Sequence, residues 1–340
     1  MDLVLFYPDG HEAHAYSGHT ERPERVEAIR TALQKAGWWE PFPRLVPEII
    51  PERIISKIHD PAWLLRLEAI CHESDYLDIN TYVTPASFDL ALRAAGGAAA
   101  VASAVWRGEA KRGFALTRPP GHHATRQRGG GFCLLNNIAL AAETLLQREG
   151  AQRLAIVDLD LHHGNGTQDI FWLRNDILYI STHQMPLFPG SGWLDETGGG
   201  EGRGATANFP LPPGAGDRAF RTVLEELILP LLDRFTPEML LISFGFDTHW
   251  RDPIGSLLLS AGEYGRLIAS LVSWADQHCG GRVILVLEGG YDLAAASACA
   301  TAVTAALLGS SWTDPLGQAP YIEGLGWQQM VTQAKRLWGV

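Results

Sequence analysis

The sequence from residue 158 to residue 166 reads Asp158-Leu159-Asp160-Leu161-His162-His163-Gly164-Asn165-Gly166, directly after the apolar run Arg153-Leu154-Ala155-Ile156-Val157. The apolar run predicts a buried parallel strand that ends where the charged residues begin. Open α/β sheets bind their ligands at the carboxyl ends of their strands. Because side chains alternate along an extended chain, we expect Asp158, Asp160 and His162 to point to one side. A carboxylate and an imidazole two residues apart can ligate one metal ion, so the stretch predicts a metal site.

The composition is that of a globular protein, with 46% hydrophobic and 19% charged residues in 340. That length allows one large α/β domain or two smaller ones. The net charge of −11 disfavours a nucleic-acid partner and is compatible with a cationic substrate.

The cysteines and the N-terminal sequence indicate a cellular compartment. Cys71, Cys133, Cys279 and Cys299 show no C-x-x-C spacing, which favours buried thiols in a reducing compartment. The apolar residues 3–7 follow no basic leader and belong to no longer apolar stretch. We therefore expect no signal peptide, no membrane span and a cytoplasmic location.

Strand and helix patterns alternate along the whole chain, without a linker or an internal repeat. Strands are predicted at residues 3–7, 114–117, 153–157, 177–181, 239–244 and 283–287. The main helices are predicted at residues 22–35, 51–59, 61–71, 87–106, 136–148, 167–173, 218–234, 261–278, 293–308 and 321–337. The glycine-rich stretch 183–204 has neither period, and a loop that long is usually functional. This alternation predicts one α/β domain with a mostly parallel sheet covered by helices on both faces.

Four of the predicted strands lead into polar clusters. The clusters contain His122-His123, the stretch 158–166, Asp247, and Glu288-Gly289-Gly290-Tyr291. Because parallel strands share one carboxyl edge, all four can converge on one pocket. In that pocket Asp160, His162 and Asp247 would offer one nitrogen and two oxygen ligands, which is typical of a catalytic zinc with positions left for water and substrate.

The remaining polar residues have the chemistry of acid–base catalysis. His122 and His123 are suited to taking a proton from water and giving one to a leaving amine. Asp158 and Asn165 are candidates to hydrogen-bond the far nitrogens of those two rings. Tyr291, after two glycines, could donate its hydroxyl to a developing oxyanion.

Several of these residues also have ordinary structural explanations. A single Asp at a strand end is usually a helix cap, and a Gly-Gly-Tyr is mostly a turn. Two His pairs at separate strand ends are harder to explain in that way, because His is neither a preferred core residue nor a loop former. His11, His14 and His19 fit structural or surface roles, and Cys133 fits a wall residue better than a nucleophile.

Six motifs together resemble the zinc-dependent histone deacetylase family, which includes acetylpolyamine amidohydrolases and acetoin-utilisation proteins. They occur in the family's order, and the resemblance covers about residues 19–310. The motifs are Arg118-Pro119-Pro120-Gly121-His122-His123-Ala124, Gly131-Phe132-Cys133-Leu134-Leu135-Asn136-Asn137, residues 158–168, Phe188-Pro189-Gly190-Ser191-Gly192, Gly245-Phe246-Asp247 and Glu288-Gly289-Gly290-Tyr291.

The resemblance implies the arginase–deacetylase fold, with a central eight-stranded, mostly parallel sheet, in a single deacetylase-like catalytic domain over residues 1–340. It places Asp160, His162 and Asp247 on the zinc ligands, His122 and His123 on the general acid–base pair, and Tyr291 on the oxyanion-binding tyrosine. It also implies that the carbonyl of Gly131 accepts the substrate amide hydrogen. Phe132 and Phe188 would wall the tunnel for the acyl-lysine stem, and Arg25 would line an internal product channel.

The family also binds potassium at one or two sites. By resemblance, the first site uses the side chains of Asp158 and Ser181 with the carbonyls of Asp158, Asp160, His162 and Thr182. A second would use the carbonyls of Phe171, Arg174 and Ile177. Oxygen ligands suit such a hard cation, which would also steady the Asp158 charge beside His122. Asp158 is therefore better explained as orienting His122 than as a zinc ligand, and His163 as structural.

Departures from the family pattern concern the subclass and the substrate. Asn165, where some members carry Asp, together with Tyr291 resembles the class II branch and its bacterial relatives. Ile254 stands where a polyamine-specific member carries a gatekeeping Glu, which removes one reason to select a long polycation. Acidic residues of the loop 73–85, namely Glu73, Asp75 and Asp78, keep the polyamine alternative open.

The predicted activity is removal of an acetyl or other short acyl group from the amine of acetyl-lysine, in a peptide or a related small acylated amine. The first alternative is an acetylpolyamine amidohydrolase. A non-catalytic sensor of acetylated or carboxylate ligands is possible on the same fold. An arginase-like ureohydrolase would need a two-manganese site with more carboxylates. A homo-oligomer is possible, and neither a nucleic acid nor a membrane is expected as a partner.

Overall fold

Strands form at short buried runs, most of them apolar, and all of them join one sheet in a computed structural model that describes residues 1–340. The strands are β1 (Leu3–Phe6), β2 (Arg112–Ala115), β3 (Leu154–Asp158), β4 (Ile177–Gln184), β5 (Thr206–Leu211), β6 (Leu240–Phe244) and β7 (Val283–Leu287). Their order is β1-β2-β7-β6-β3-β4-β5, and every neighbouring pair is parallel. The predicted α/β class with a parallel sheet is confirmed.

The alternation of side chains along β3 shows why the sheet is buried on both faces. Ala155 and Val157 belong to a hydrophobic core on one face, and Leu154 and Ile156 belong to a second core on the other. All five residues of the strand are buried. A strand that is apolar on both sides needs helices on both sides, which is the layering the sequence predicts.

Eleven α-helices flank the sheet. They are α1 (Glu24–Lys35), α2 (Glu52–Ile58), α3 (Pro61–Glu73), α4 (Ser87–Trp106), α5 (Asn137–Thr144), α6 (Asn165–Phe171), α7 (Asp217–Val223), α8 (Leu229–Phe235), α9 (Ala261–His278), α10 (Leu293–Leu308) and α11 (Trp327–Trp338). Helices α1, α9, α10 and α11 supply the first core, and α2, α3, α4 and α5 supply the second.

Helix α4 is the one helix long and apolar enough to cross a membrane by length and composition. In the fold, 78% of its most apolar window is buried inside the protein. Small residues make that burial possible: a Cβ on Gly97 would lie 2.4 Å from the ring of Phe6 in β1. Helix α4 therefore has the burial of a core helix.

The strand count differs from the expectation by one, since the sheet has seven strands where the resemblance implies eight. Beside the edge strand β1, Arg44 makes a single parallel bridge with Leu5. Pro43 and Pro47 flank that bridge, and proline cannot donate to a ladder, so no further strand forms there. All six strands predicted from the sequence are present.

Strand β5 and some helix boundaries were not predicted. Strand β5 contains Pro210 and lies at the sheet edge, a position where proline is tolerated in a strand. The helix predicted at residues 136–148 ends in a π-helical segment, Leu145–Glu149. The helix predicted at residues 218–234 is likewise divided by a π-helical segment, Leu224–Ile228, and α11 begins at Trp327 rather than near residue 321.

The strand order places the polar clusters side by side. Strands β2, β7, β6 and β3 are consecutive neighbours in the sheet, and each leads into one of the four clusters. The sequence could predict a shared carboxyl edge, but only the topology shows that these four ends are adjacent.

Candidate active site

The residues predicted to bind metal lie together beyond the ends of β3 and β6. His162 Nδ1 lies 3.2 Å from Asp160 Oδ1 and 3.3 Å from Asp247 Oδ2. All three side chains are buried, and one candidate ligand atom from each lies within 4.8 Å of the others. Asp247 Oδ2 is buried without a hydrogen-bond partner. Burying a carboxylate oxygen without a hydrogen-bond donor is unfavourable, and a bound cation would remove that cost. This set of ligand atoms therefore fits a metal ion.

The backbone around these carboxylates leaves room for them because two residues lack a Cβ. A Cβ on Gly245 would lie 1.9 Å from Asp160 Oδ2, and a Cβ on Gly289 would lie 2.3 Å from Asp247 Oδ2. Gly289 also donates its N–H to Asp160 Oδ2 at 2.8 Å. Leu161 N–H donates to Asp247 Oδ1 at 3.1 Å. The backbone thus fixes Asp247 through one oxygen and Asp160 through both, since Asp160 Oδ1 also accepts the N–H of His162 at 2.9 Å.

The electrostatics of this group favour a positive charge. Burial opposes protonation of His162, but its hydrogen bond to Asp160 and the nearby charges of Asp247 and Asp160 outweigh burial and raise its pKa to about 9. Burial and the neighbouring Asp160 raise the pKa of Asp247 to about 7. Two carboxylates this close repel one another unless a cation lies between them.

His122 is held as a charged imidazole by the carboxylates around it. Its Nδ1 donates to Asp158 Oδ2 at 3.0 Å, the contact predicted from the sequence. Burial opposes the charge, but Asp158 and Asp160 raise the pKa of His122 to about 10. Glu288 fixes the backbone, since its Oε2 accepts the N–H groups of Gly121 at 2.7 Å and His122 at 3.1 Å.

His123, the next residue in the chain, has a lowered pKa where His122 has a raised one. Its Nδ1 donates to the amide oxygen of Asn165 at 2.8 Å, which is also the predicted partner. Burial, and then the neighbouring His122 and His162, lower the pKa of His123 well below its ordinary value. The two rings lie 4.1 Å apart, so one charged and one neutral imidazole share the site.

A cavity of about 350 Å³ opens above these residues. We call His122, His123, Asp160, His162 and Asp247 the floor of the site. The cavity is lined by His122, His123 and His162 of the floor together with Asp78, Ile79, Asn80, Pro120, Gly131, Phe132, Cys133, Leu187, Phe188, Ile254, Gly289 and Tyr291. We call Asp78, Ile79, Phe188 and Ile254 the rim.

Phe132 and Phe188, which by resemblance would wall a substrate tunnel, both line the cavity. The Phe188 ring lies 5.0 Å from His123, and the Phe132 ring lies 5.7 Å from Tyr291. Phe132 has φ of 70°, a left-handed conformation that a bulky residue rarely adopts. Gly131, also left-handed at φ of 56°, leaves space for His123, whose ring carbon would lie 2.6 Å from a Cβ there.

Tyr291 is buried in the cavity wall with Arg25 against its ring. The Arg25 guanidinium carbon lies 4.8 Å from the centre of the tyrosine ring. Burial raises the pKa of Tyr291 well above its ordinary value, so the hydroxyl keeps its proton and can donate a hydrogen bond.

Comparison with known proteins agrees with this arrangement. Residues 19–307 match the Histone deacetylase domain family. A "Probable deacetylase" of Archaeoglobus fulgidus is 42% identical over 283 residues, which cover 81% of this chain and 77% of the relative. The chain belongs to the histone deacetylase family.

Two further relatives extend the match. The "Histone deacetylase-like amidohydrolase" of Pseudomonas aeruginosa is 36% identical over 307 residues, covering 89% of this chain and 80% of the relative. The crystal structure of the HDA15 HD domain superposes with a TM-score of 0.89 at 33% identity, over 99% of this chain and 94% of that one. The arginase–deacetylase fold is thereby confirmed, and with it membership in a family of hydrolases that act on acylated amines.

The potassium sites of the deacetylase family stay predictions for this chain. Asp158 and Ser181 are paired on the neighbouring strands β3 and β4, as the first site requires. The Ser181 hydroxyl is 2.9 Å from His183 Nδ1. In the second group, the carbonyl of Phe171 accepts the N–H of Arg174 at 2.9 Å, and Ile177 begins β4.

His163, His11 and His14 lie where structural roles would place them. His163 contacts Ser191 Oγ at 2.8 Å and Gln168 Oε1 at 3.1 Å, which ties the stretch 183–204 to α6. His14 Nδ1 contacts Ser87 Oγ at 2.6 Å, and His11 is fully buried.

Several supporting residues of the deacetylase site were missed by sequence reasoning. Glu21 bridges two buried arginines, at 2.9 Å from Arg25 and 2.7 Å from Arg118. Asp78 accepts the N–H of Gly131 at 3.0 Å, and Asp252 accepts that of Tyr291 at 2.7 Å. Apart from Glu21–Arg25, which are four residues apart, these contacts join residues far apart in the chain, and the motif spacing contains no signal for them.

Proposed function

We propose that this protein is a zinc-dependent deacetylase that hydrolyses the acyl amide of an acyl-lysine side chain or a closely related acylated amine. The observation that carries the proposal is the buried Asp160–His162–Asp247 group, with its unpartnered Asp247 oxygen, in one cavity with His122, His123 and Tyr291. Three protein ligands of this kind are typical of catalytic zinc.

The ligand group would hold the ion at the floor of the cavity. A zinc ion held there would lower the pKa of a water molecule and polarise the substrate carbonyl. Asp158, which is bonded to His122, would serve as a positioning residue and as the potassium ligand of the family.

The two histidines have different roles in the reaction. The neutral His123 accepts a proton from the water as its oxygen adds to the carbonyl carbon. When the C–N bond breaks, His123 returns that proton to the amine nitrogen, so one water and one amide give one carboxylic acid and one amine. His122, kept charged by Asp158, supplies a fixed positive charge beside the developing oxyanion. Asn165 holds the His123 ring in the tautomer that leaves Nε2 free.

Tyr291 and Gly131 would bind the substrate amide. The protonated Tyr291 hydroxyl donates to the oxyanion, and this interaction is stronger in the transition state than in the ground state. The carbonyl of Gly131 accepts the amide hydrogen, while Phe132 and Phe188 pack against the apolar stem of the lysine.

The chemistry of the rim residues favours a peptide acyl-lysine over an acetylpolyamine as the substrate. Both oxygens of Asp78 are engaged by the backbone, because they accept the N–H groups of Asn80, Thr81 and Gly131 at 2.7–3.0 Å. Glu73 and Asp75 are exposed but do not line the cavity. Ile79 and Ile254 are apolar, so the one carboxylate of the rim is Asp78, whose charge is already compensated in part by three backbone N–H groups.

Zinc removal and restoration test the proposal. Zinc content is measured by mass spectrometry beside acetate release from an acetyl-lysine peptide, before and after chelation and after zinc is added back. We expect about one zinc per chain, loss of hydrolysis with the zinc, and recovery when it returns. Hydrolysis that continues at full rate in protein stripped of metal would contradict the zinc requirement.

A further inference from the structure

Tyr291 lies on a loop whose own backbone conformation does not determine where the tyrosine side chain stands. It follows Gly289 and Gly290, and Gly290 has φ of 109°, a conformation that favours glycine. A Cβ on Gly290 would lie 2.5 Å from the Cβ of Phe246. Since glycines permit many backbone conformations, contacts from outside the loop have to set where the tyrosine stands.

Arg25 holds one side of this loop. Its Nε donates to the carbonyl of Gly290 at 2.5 Å, and its Nη2 donates to the carbonyl of Glu288 at 2.6 Å. These bonds fix the carbonyl groups before Tyr291. The N–H of Tyr291 itself is left for another partner.

That partner is Asp252, a residue with no role in the mechanism above. Asp252 is 6% exposed, and its Oδ2 accepts the N–H groups of Tyr291 at 2.7 Å and Asp292 at 3.2 Å. Its Oδ1 accepts the N–H of Ile254 at 3.0 Å. Asp252 belongs to the turn that follows Asp247, and its own N–H bonds the carbonyl of His249 at 2.8 Å. One carboxylate therefore joins the tyrosine loop to the segment between a floor residue and the rim.

We propose that Asp252 is a positioning residue for Tyr291, and that its carboxylate sets the backbone from which the tyrosine hydroxyl reaches the oxyanion. This inference rests on the proposed function. A carboxylate is suited to the task because it is all acceptor, and here it meets three backbone donors. An amide at this position has one acceptor oxygen and would aim an N–H₂ group at a backbone N–H. Asp252→Asn therefore keeps the size of the side chain and removes an acceptor from the backbone contacts that join the tyrosine loop to Ile254.

A double-mutant cycle separates positioning from a general structural role. Wild type, Asp252→Asn, Tyr291→Phe and the double variant are compared for kcat and KM on one acetyl-lysine peptide. If Asp252 acts through the tyrosine hydroxyl, Asp252→Asn lowers kcat by about tenfold with KM nearly unchanged, as expected when a buried hydrogen-bond partner is lost. In the Tyr291→Phe background the same substitution lowers kcat less than about twofold, because coupled residues are not additive.

Asp314→Asn is the matched control. Asp314 also accepts three backbone N–H groups, those of Gly262, Leu316 and Gly317, at 2.7–3.1 Å, and it does not line the cavity. We expect Asp314→Asn to leave kcat unchanged, with any effect confined to the melting temperature. If Asp252→Asn is not recovered folded, Asp252→Glu, which keeps the charge and moves it by one methylene, goes through the same cycle.

The outcomes are distinguishable from failure of the proposed function. A zinc-loaded wild type that hydrolyses no acetyl-amine would refute the deacetylase activity itself. A wild type that is active, with losses of equal size for Asp252→Asn in the Tyr and Phe backgrounds, would overturn the positioning role alone. A change confined to KM would also overturn it.

Discussion

The floor and the rim of the site differ in how they are built. The floor residues lie beyond the ends of adjacent strands and are buried, with Asp247 fully inaccessible. On the rim, Ile79 is 91% exposed and Phe188 is 51% exposed, and both lie on loops. The floor therefore has one geometry, set by the sheet and by backbone hydrogen bonds. The rim meets solvent and the rest of the substrate, so substitutions there should change selectivity more than chemistry.

Removal of a floor carboxylate should have the largest effect. Asp247→Ala should abolish tight zinc binding and lower kcat/KM by at least about 10³-fold, because metal catalysis supplies several kcal/mol and each 1.4 kcal/mol is tenfold. Zinc content and kcat/KM are measured together. Asp314→Ala, a change at an aspartate outside the cavity, should retain both. A zinc-free Asp247→Ala protein with wild-type activity would show that the floor is not the catalytic centre.

The two neighbouring floor histidines should separate proton transfer from metal binding. His123→Ala should lower kcat by about 10²- to 10⁴-fold, the usual contribution of general acid–base catalysis, while zinc content stays unchanged. The physical reason is that His123 is the imidazole whose lowered pKa keeps it neutral and able to accept a proton. His278→Ala, on the partly exposed end of α9, is the control. Retention of kcat in His123→Ala would assign the base elsewhere.

Buried groups behind the floor should make stability fall in acid. His59 donates from Nδ1 to the carbonyl of Thr125 at 3.0 Å and accepts the N–H of Asn136 at 2.9 Å. Burial lowers the pKa of His59 to about 4, below its ordinary value of 6.5. The unfolded chain therefore binds this proton first, and the free energy of unfolding should decrease by up to ~1.4 kcal/mol per pH unit for this group as pH falls from about 6.5 to about 4.

Glu21 should cause a second decrease in the free energy of unfolding, at lower pH than the decrease caused by His59. Burial opposes its charge, but Arg118 and Arg25 lower the pKa of Glu21 to about 2 from 4.5, so its stabilisation is present above about 4.5 and lost as pH falls toward 2. Both decreases are checked by measuring the free energy of unfolding in urea at pH values from 7.5 to 3. His59→Asn should flatten the slope between pH 6.5 and 4. An unchanged slope in His59→Asn would remove the buried imidazole from the explanation.

The floor residues could be predicted from the sequence, whereas most of the residues whose hydrogen bonds hold the site in place could not. Asp160, His162, Asp247 and the His pair follow strand-like runs, and parallel strands bring their ends to one edge whatever the details of packing. Even the Asp158–His122 and Asn165–His123 contacts were predictable in kind, since each ring needs a partner for its far nitrogen.

The rim and the loop contacts depend on tertiary packing that no local pattern contains. The bond from Gly131 to Asp78 joins residues 53 apart, and the bond from Tyr291 to Asp252 joins residues 39 apart. Asp78 shows the consequence. From the sequence it is a free acid that could bind a polyamine, whereas in the fold its oxygens are engaged by the backbone. Strand β5 was missed for a related reason, because its proline is acceptable only at a sheet edge.

The smallest effect is expected on the rim. Ile79→Glu adds a carboxylate at an exposed position and should raise the kcat/KM ratio of acetylspermidine to acetyl-lysine peptide by about fivefold, since an exposed ion pair is worth up to about 1 kcal/mol. The gain should shrink at high salt. Ile79→Gln tests the loss of the apolar side chain without charge, and Ile322→Glu tests added charge at another exposed isoleucine. An equal ratio in all three variants would show that the rim does not select substrates by charge.

The most direct test of the account is a side-by-side assay of zinc-replete wild-type protein on an acetyl-lysine peptide, acetylspermidine and acetylputrescine, with released acetate as the measured product. We predict hydrolysis with the highest kcat/KM on the peptide, because the floor supplies the chemistry and the one rim carboxylate, Asp78, is already bonded to the backbone. A zinc-replete protein that releases acetate from none of the three would contradict the central claim that this site is a deacetylase centre.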